Sequence, residues 1–393
     1  MNKDQLSQRK YEKLKEEEKD ILTDLLVRSF QLEDTEYVRT RIEKYCSFFR
    51  SFKQNGVIKG GLGIVPSEQW FGGKKIPSAA IILVGVPPHC RGKGIASAML
   101  KAMLIELYED GYPLSVLYPS TKSLYEKSGY ETAGERITYK IESNLIKLTT
   151  KASSNTIEVS PWNNPDPKEL QSLHTKSISN TNGSLNRCDV FWDRILNPWQ
   201  KKTYTYAFSR QGEKTGYVVF YQFRENPLIV YDYAAPDHET AKELVLFLSR
   251  QNTMSPYIIW HGGREDVLAH LTDPGKIDAW LGWMIRIVNA RKALEFRGYN
   301  PHIEASVDFE VEDPILPYNN GRFNLSVSNG KGFISEGGKG DLKINIRGLA
   351  PLYSGYLDPY DIKQIGLLQG NDEILTKAQA IFTGAKPWMT DMF

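Results

Sequence analysis

The sequence predicts a mixed α+β protein built from three successive units. A strand-like apolar run, residues 81–86, is followed by a glycine-containing turn and then by helix-forming residues. Residues 151–285 repeat the order of helices and strands found in residues 1–150, and residues 286–393 are rich in strand patterns. A chain of 393 residues favours two or three domains. We therefore expect domains at 1–150, 151–285 and 286–393.

The composition excludes several classes of protein. Lys and Arg number 49 against 47 Asp and Glu, a net charge of +2, which gives no support for nucleic-acid binding. The sequence has no apolar stretch of membrane-spanning length, and its N-terminus lacks the apolar core of a signal peptide, so we expect a cytoplasmic protein without a membrane partner. Three scattered cysteines and six histidines without ligand spacing predict no disulfide framework and no metal.

In the first unit, apolar spacing predicts helices over residues 4–30 and 37–48. Strands are predicted at 49–52 and 57–65, and a loop at 70–76 around Gly72-Gly73. After the apolar run come a helix from Ala96, a strand at 112–118, a helix at 121–128 and a strand at 136–148.

The segment Ile81–Ala96 is the one around which this unit is organised. Arg91-Gly92-Lys93-Gly94 lies between the apolar strand and the helix. Glycines let backbone N–H groups approach an anion, and the helix N-terminus adds unpaired amides and a favourable dipole. An ordinary strand-to-helix turn would explain the glycines but not the two basic residues, so the pattern favours a phosphate cradle.

Two elements of this unit resemble the GNAT (GCN5-related) N-acetyltransferases. The first is Arg91-x-x-Gly94-x-Ala96, and the second is the tyrosine helix with its glycine turn, residues 123–130. The resemblance implies acetyl-CoA as co-substrate. The residues expected to bind it are Val84, Gly85, Val86, Arg91, Gly92, Lys93, Gly94, Ile95, Ala96, Ser120 and Thr121.

The resemblance also implies direct transfer of an acetyl group to an amine. A backbone N–H of Val84 or Val86 would polarise the thioester oxygen. Tyr125 matches the family's general acid, and a phenol with an unperturbed pKa near 10 is protonated at neutral pH. The alternative for Tyr125 is packing against the sheet or the coenzyme.

The middle unit repeats the order of helices and strands of the first unit but lacks its phosphate cradle. A polar stretch, 151–155, predicts a linker. The strand at 228–233 leads into Ala234-Ala235-Pro236-Asp237-His238-Glu239, which has no glycine and two acids. Acids repel phosphate, so we expect a second GNAT-like fold that binds no acyl-CoA and serves as a scaffold or pocket wall.

The last unit is predicted as strands near 286–294, 303–310, 321–328, 332–335 and 341–346, followed by short helices over 349–382. Asn329-Gly330 is a strong hairpin signal. The pattern resembles a sterol-carrier-protein-like domain. A packing domain is favoured over a lipid carrier, which would need an open apolar tunnel.

The order of the three units resembles the Eis (enhanced intracellular survival) family of acetyltransferases over essentially the whole chain. That resemblance implies a general base in the C-terminal carboxylate of Phe393, a hexamer, and amine acceptors that include aminoglycosides, other polycations and lysyl peptides. It also implies a wide, acidic, aromatic-lined cavity. The expected wall residues are Asp24, Phe30, Trp70, Ile82 and Tyr112.

A non-catalytic lipid-carrier or interaction protein that keeps GNAT folds as a scaffold is the competing hypothesis. The glycine turn together with Tyr125 favours the enzyme, because a scaffold has no need of a phosphate cradle.

Overall fold

The protein has two sheets, one of 13 strands that crosses the first two units and one of five strands in the last unit. The computed structural model describes residues 9–33, 35–146, 156–198, 201–223, 226–272 and 277–393. The expected boundary at 150/151 and the linker at 151–155 lie outside the described residues. The mixed α+β fold class predicted from the sequence is confirmed.

The described part of the first unit begins with a strand, and here the prediction of one helix over residues 4–30 is wrong. Arg9–Lys13 pairs antiparallel with Phe49–Gln54; Lys10 and Lys13 are exposed, and Glu12 ion-pairs with Lys53 of the neighbouring strand. The helix starts only at Lys19. The elements are β1 (Arg9–Lys13), α1 (Lys19–Phe30), α2 (Thr35–Lys44), β2 (Phe49–Gln54), β3 (Val57–Phe71), β4 (Lys74–Gly85), α3 (Ile95–Glu109), β5 (Leu114–Leu117), α4 (Lys122–Glu126) and β6 (Glu131–Glu142).

Strands β3 and β4 form a long hairpin. Gly72 and Gly73 make the two-residue turn, with φ of 58° and 73°, the left-handed conformation that such turns require. The predicted loop over 70–76 is therefore shorter than expected. Trp70 lies in β3 and is buried, because the strand continues to Phe71.

Strands β4 and β5 run parallel and then separate. Their pairing covers Ser78–Ala80 of β4 against Leu114–Val116 of β5. Beyond Ala80, β4 continues to Gly85 with β3 on one side only. The separation opens a gap in the sheet beside the C-terminal end of β4.

The second unit continues the same sheet. Strand β12 pairs antiparallel with β6, which joins the two units. Strand β13 is the last element of the second unit in sequence but is inserted between β5 and β6 of the first. The elements are β7 (Ile157–Pro161), α5 (Pro167–Ile178), β8 (Leu185–Asn186), α6 (Asp189–Leu196), β9 (Thr203–Arg210), β10 (Glu213–Tyr221), β11 (Leu228–Ala234), α7 (His238–Ser249), β12 (Tyr257–Gly262), α8 (Val267–Thr272) and β13 (Ile277–Ile287).

The last unit packs helices against its own five-stranded sheet. The predicted strand over 289–294 is wrong: Asn289 caps a helix there by accepting a hydrogen bond from the Lys292 backbone N–H at 3.0 Å. The hairpin at Asn329-Gly330 is present. The elements are α9 (Ala290–Phe296), β14 (Ala305–Glu312), β15 (Gly321–Ser328), β16 (Lys331–Glu336), β17 (Leu342–Asn345), α10 (Ile346–Ser354), α11 (Pro359–Gln364), β18 (Leu368–Gln369) and α12 (Asp372–Phe382).

Within the described part of the chain, no helix is long and apolar enough to cross a membrane. The same residues contain no group of three or more His, Cys, Asp or Glu side chains placed to hold a metal ion.

Candidate active site

The turn between β4 and α3 has the backbone of an anion cradle. Gly92 and Gly94 have φ of 74° and 71°, and no atom lies within 4 Å of the position that a Cβ would take on either. Gly94 is the residue that precedes α3, so no side chain caps the helix. Its first turn, which begins with Ile95 and Ala96, carries no acid. The amides of this turn therefore remain available to a phosphate.

Two basic side chains flank this cradle. Arg91 donates from Nε to the Val86 carbonyl at 3.2 Å and from Nη2 to the Ser29 carbonyl at 2.7 Å, which links the turn to the end of α1. Lys93 donates from Nζ to the His89 carbonyl at 3.0 Å. Both residues are exposed, so their charges add to the field of the helix terminus.

The end of β4 is irregular at the gap between the strands. Leu62 of β3 faces two residues of β4, Leu83 and Val84, and Leu83 has a φ of 51°. Such a bulge redirects backbone groups out of the regular ladder. Val84 and Val86 are half-buried and Gly85 is buried, next to the gap.

On the other side of the gap, β5 leads into a short loop and α4. Ser120 and Thr121 are exposed in this loop, and Tyr125 on α4 is 3% exposed. Burial raises the pKa of the Tyr125 phenol, while a hydrogen bond with Ser120 acts in the opposite direction. The Tyr125 phenol is therefore protonated at neutral pH.

The last residues of the sequence reach this region from the third unit. The Phe393 ring lies 5.5 Å from the rings of both Tyr118 and Phe191, at edge-on angles. Tyr118, the residue after β5, donates its hydroxyl to the Asp391 carbonyl at 2.7 Å. Phe393 is half-buried. The structure thus brings the end of the sequence to the loop between β5 and α4, and it gives Tyr118 a role beyond packing that the sequence did not indicate.

A buried ion-pair network anchors this terminal segment. Arg187 donates from Nε to Asp391 Oδ1 at 2.7 Å and from its two Nη atoms to Asp232 at 2.7 and 2.8 Å. Arg136 donates from Nε to the Thr390 carbonyl at 2.8 Å. Burial acts to raise the pKa of Asp232, but Arg187 outweighs it and holds that pKa below its usual value. No local sequence pattern indicates this network, because Arg187 and Asp391 are 204 residues apart.

A cavity of about 750 Å³ opens next to the terminal segment. Its walls come from the end of α1, from α2, from α6 and from residues 390–392. We call it the basic cavity, because five basic side chains line it against two carboxylates. The charged lining residues are Arg41, Arg136, Arg187, Arg194, Lys201, Glu33 and Asp391. The expectation of an acidic cavity is wrong for this one.

None of the five expected wall residues lines the basic cavity. Asp24 is exposed on α1 and Phe30 packs between α1 and α2. Trp70 is buried in β3, and Tyr112 precedes β5 at the end opposite Tyr118. Ile82 packs against the same hydrophobic cluster as Phe393 and shares a second cluster with Phe30.

The corresponding strand-to-helix junction of the second unit has no cradle. Strand β11 leads through Pro236 to Asp237, whose carboxylate accepts a hydrogen bond from the Thr240 backbone N–H at 2.9 Å. This carboxylate caps α7 at the place where α3 has only free amides. Asp237 therefore repels a phosphate and occupies its position.

Comparison with known proteins agrees with this architecture. Residues 10–133 and 183–287 each match a model of an acetyltransferase (GNAT) domain, and residues 290–390 match a sterol carrier protein domain. A crystal structure of a GCN5-related N-acetyltransferase from Anabaena variabilis has 32% sequence identity and a TM-score of 0.93, and the match covers 98% of this chain and 100% of that one.

Two curated relatives also match. An uncharacterized N-acetyltransferase from Streptomyces avermitilis is 25% identical over 82% of this chain and 83% of its own. The N-acetyltransferase Eis from Mycobacterium tuberculosis is 24% identical over 65% of each chain. The chain belongs to the GCN5-related N-acetyltransferases and, with two GNAT domains before a sterol carrier protein domain, to their Eis-type members.

Proposed function

We propose that this N-acetyltransferase moves the acetyl group of acetyl-CoA directly to a primary amine. One observation carries the proposal: β4 leaves β5 after Ala80 and ends in a glycine turn and an uncapped helix. The gap suits an extended thioester arm, and the turn suits its phosphates. Acetyl-CoA supplies the activated acetyl thioester when bound.

The residues around the gap have separate tasks in this proposal. The cradle, residues 91–96, binds phosphate, and the neighbouring Ser120 and Thr121 bind the coenzyme from the α4 side. A backbone N–H of Val84 or Val86 donates to the thioester oxygen, where negative charge develops. The buried Tyr125 phenol gives its proton to the sulfur that leaves.

In a chain that ends at Phe393, the terminal carboxylate is the proposed general base. The Phe393 ring is fixed between Tyr118 and Phe191, and Asp391, two residues earlier in the chain, is fixed by Arg187. A carboxylate with an ordinary pKa is a weak base, so it accepts a proton from the attacking amine directly or through one water.

The lipid-carrier alternative finds less support in the third unit. Phe309 and Phe323 are buried and stack at 5.5 Å, and Phe382 of α12 meets Phe309 at 6.5 Å. These rings fill the space between the five-stranded sheet and α12. The packing favours a structural role for this unit.

The test is release of free thiol from acetyl-CoA in the presence of a panel of amines, with coenzyme binding measured by calorimetry. The panel includes an aminoglycoside, a polyamine and a lysyl peptide, the acceptors that the family resemblance implied. Failure to bind acetyl-CoA, together with no thiol release for any amine, would refute the proposal.

Two variants test the acid. Tyr125→Phe removes the proton donor and should lower kcat by about 10²-fold or more while acetyl-CoA still binds. Tyr130→Phe is the matched control, because its phenol bonds Ser115 at 2.7 Å and lies 5.9 Å from the Tyr125 ring. Equal losses in both variants would remove Tyr125 from the mechanism.

Two further changes test the base. Deleting Phe393 should abolish most turnover with little change in acetyl-CoA affinity, and adding one glycine after it should displace the carboxylate with the same effect. Full turnover in both proteins would exclude this carboxylate from the mechanism.

A further inference from the structure

The charge of the basic cavity is not balanced by the side chains that line it. Of its five basic residues, Arg187 is paired with Asp232 and Asp391. Arg41 and Arg194 have no carboxylate within ion-pair distance in the part of the chain that the structure describes. The Nε of Arg41 is buried and has no hydrogen-bond partner.

Such an arrangement costs free energy unless an anion accompanies it. Partly buried guanidinium groups lose hydration, and several like charges around one space repel each other. Burial lowers the pKa of Arg194; Arg41 and Arg136 act in the same direction by repulsion, against the opposing effects of Tyr37 and Asp391. A bound carboxylate or phosphate would remove both penalties, since guanidinium groups bind such anions through paired hydrogen bonds.

The basic cavity also lies next to the terminal segment that carries the proposed base. Phe191 lines it and meets the Phe393 ring at 5.5 Å. Asp391 and Met392 lie in its wall, and the Asp391 carbonyl holds Tyr118. The end of α1 lies between it and the cradle, because Gln31 lines the cavity while the Ser29 carbonyl bonds Arg91. The cavity therefore opens on the acceptor side of the site.

We propose that the acceptor is a small primary amine that also carries an anionic group, and that Arg41 and Arg194 bind this group in the basic cavity. This inference rests on the proposed function and narrows its substrate class. A polycationic acceptor has the opposite charge from the one this cavity suits. The anionic group is a carboxylate or a phosphate, since guanidinium pairs bind either.

The test compares amines in matched pairs that differ only in the anionic group. Lysine against cadaverine tests a carboxylate, and glucosamine 6-phosphate against glucosamine tests a phosphate. An aminoglycoside represents the polycations. In at least one pair we expect kcat/KM to be about tenfold or more higher for the amine that carries the anionic group, because the other amine cannot form the charged hydrogen bond to the arginines.

Variants of the two arginines then locate the preference. Arg41→Gln and Arg194→Gln should each reduce this preference, and the double variant should abolish it by slowing transfer to the amine that carries the anionic group. Arg194→Lys should keep part of it. Arg322→Gln is the control, because Arg322 is half-exposed in the third unit and pairs with Glu310. Calorimetry with lysine and with glucosamine 6-phosphate measures the same effect as binding.

The outcomes separate this inference from the proposed function. Faster transfer in both pairs to the amine that lacks the anionic group, or faster transfer to the aminoglycoside, would overturn the anionic acceptor while confirming acetyl transfer. A preference for anions that persists unchanged in the double variant would overturn the assignment to Arg41 and Arg194. No thiol release with any amine would instead refute the proposed function itself.

Discussion

Removing the Arg187 side chain should strongly destabilise the protein and detach its terminal segment. The side chains of Arg187, Asp232 and Asp391 are 0%, 1% and 4% exposed. Arg187→Met leaves two buried carboxylates without a counterion, and breaking a buried ion pair in this way costs about 3–5 kcal/mol. We expect the free energy of unfolding to fall by that amount at pH 7, measured by urea denaturation.

Shortening Asp391 should separate stability from activity. Asp391→Ala leaves the bidentate pair between Arg187 and Asp232 intact, so the expected loss is about 1–3 kcal/mol, that of one hydrogen bond to a charged group. Turnover should fall much more, because the terminal segment loses its anchor two residues before Phe393. Asp232→Asn should do the reverse and lower stability more than it lowers turnover. Thiol release and denaturation are measured on the same preparations.

Two results would refute this argument. One is an Arg187→Met protein as stable as Arg322→Met, a control that removes an exposed arginine. The other is an Asp391→Ala protein with the turnover of the unaltered chain. The first would show that the buried charges are compensated in another way, and the second that Asp391 does not position Phe393.

Three further changes have defined outcomes. Gly94→Ala places a side chain at φ 71° and should cost about 1–2 kcal/mol of stability and weaken acetyl-CoA binding in calorimetry; unchanged affinity would contradict the cradle. Gly298→Ala puts a Cβ 2.0 Å from the Gly72 carbonyl oxygen, so its denaturation midpoint should drop by the equivalent of about 1–3 kcal/mol. His174 is buried, and its burial together with the smaller effect of the Arg187 charge lowers its pKa from 6.5 to about 3. Below pH 6.5 the unfolded chain therefore binds a proton that the folded protein does not. Stability is full above pH 6.5 and falls with decreasing pH by at most about 1.4 kcal/mol per pH unit. His174→Phe should lessen this loss in urea denaturation at pH 7 and pH 5, and an equal loss in both proteins would contradict the assignment.

The elements that the sequence predicts correctly are those determined by residues close together in the chain. A glycine turn after an apolar strand, the Asn329-Gly330 hairpin and the tyrosine helix around Tyr125 are determined by neighbours in sequence, and the structure has all three elements. The two wrong predictions, the helix over residues 4–30 and the strand over 289–294, have a related cause. The apolar spacing from Tyr11 to Phe30 suits one continuous helix, but residues 9–13 pair with β2 instead. Residues 289–294 suit a strand until Asn289 caps a helix.

The site was less predictable, because its parts come from distant segments. Phe393 is positioned by Tyr118 and Phe191, and the hydrogen bond between Tyr118 and Asp391 spans 273 residues. The charge of the cavity depends on which faces of α2 and α6 meet, and periodicity does not give that. Arg194 looks like any surface arginine in the sequence, and only the packing of α6 turns it towards the cavity.

The loss of the cradle in the second unit and the position of the terminal segment are parts of one arrangement. Asp237 closes the anion site of that unit by capping α7. The same unit supplies Arg187 and Asp232, which fix the segment that ends at Phe393 beside the first unit's gap. It also supplies Arg194 to the wall of the basic cavity. The second GNAT domain thus places both the terminal residue and the cationic wall of its neighbour's site, so its substitutions should alter acceptor use before they alter binding of the coenzyme at the first unit's cradle.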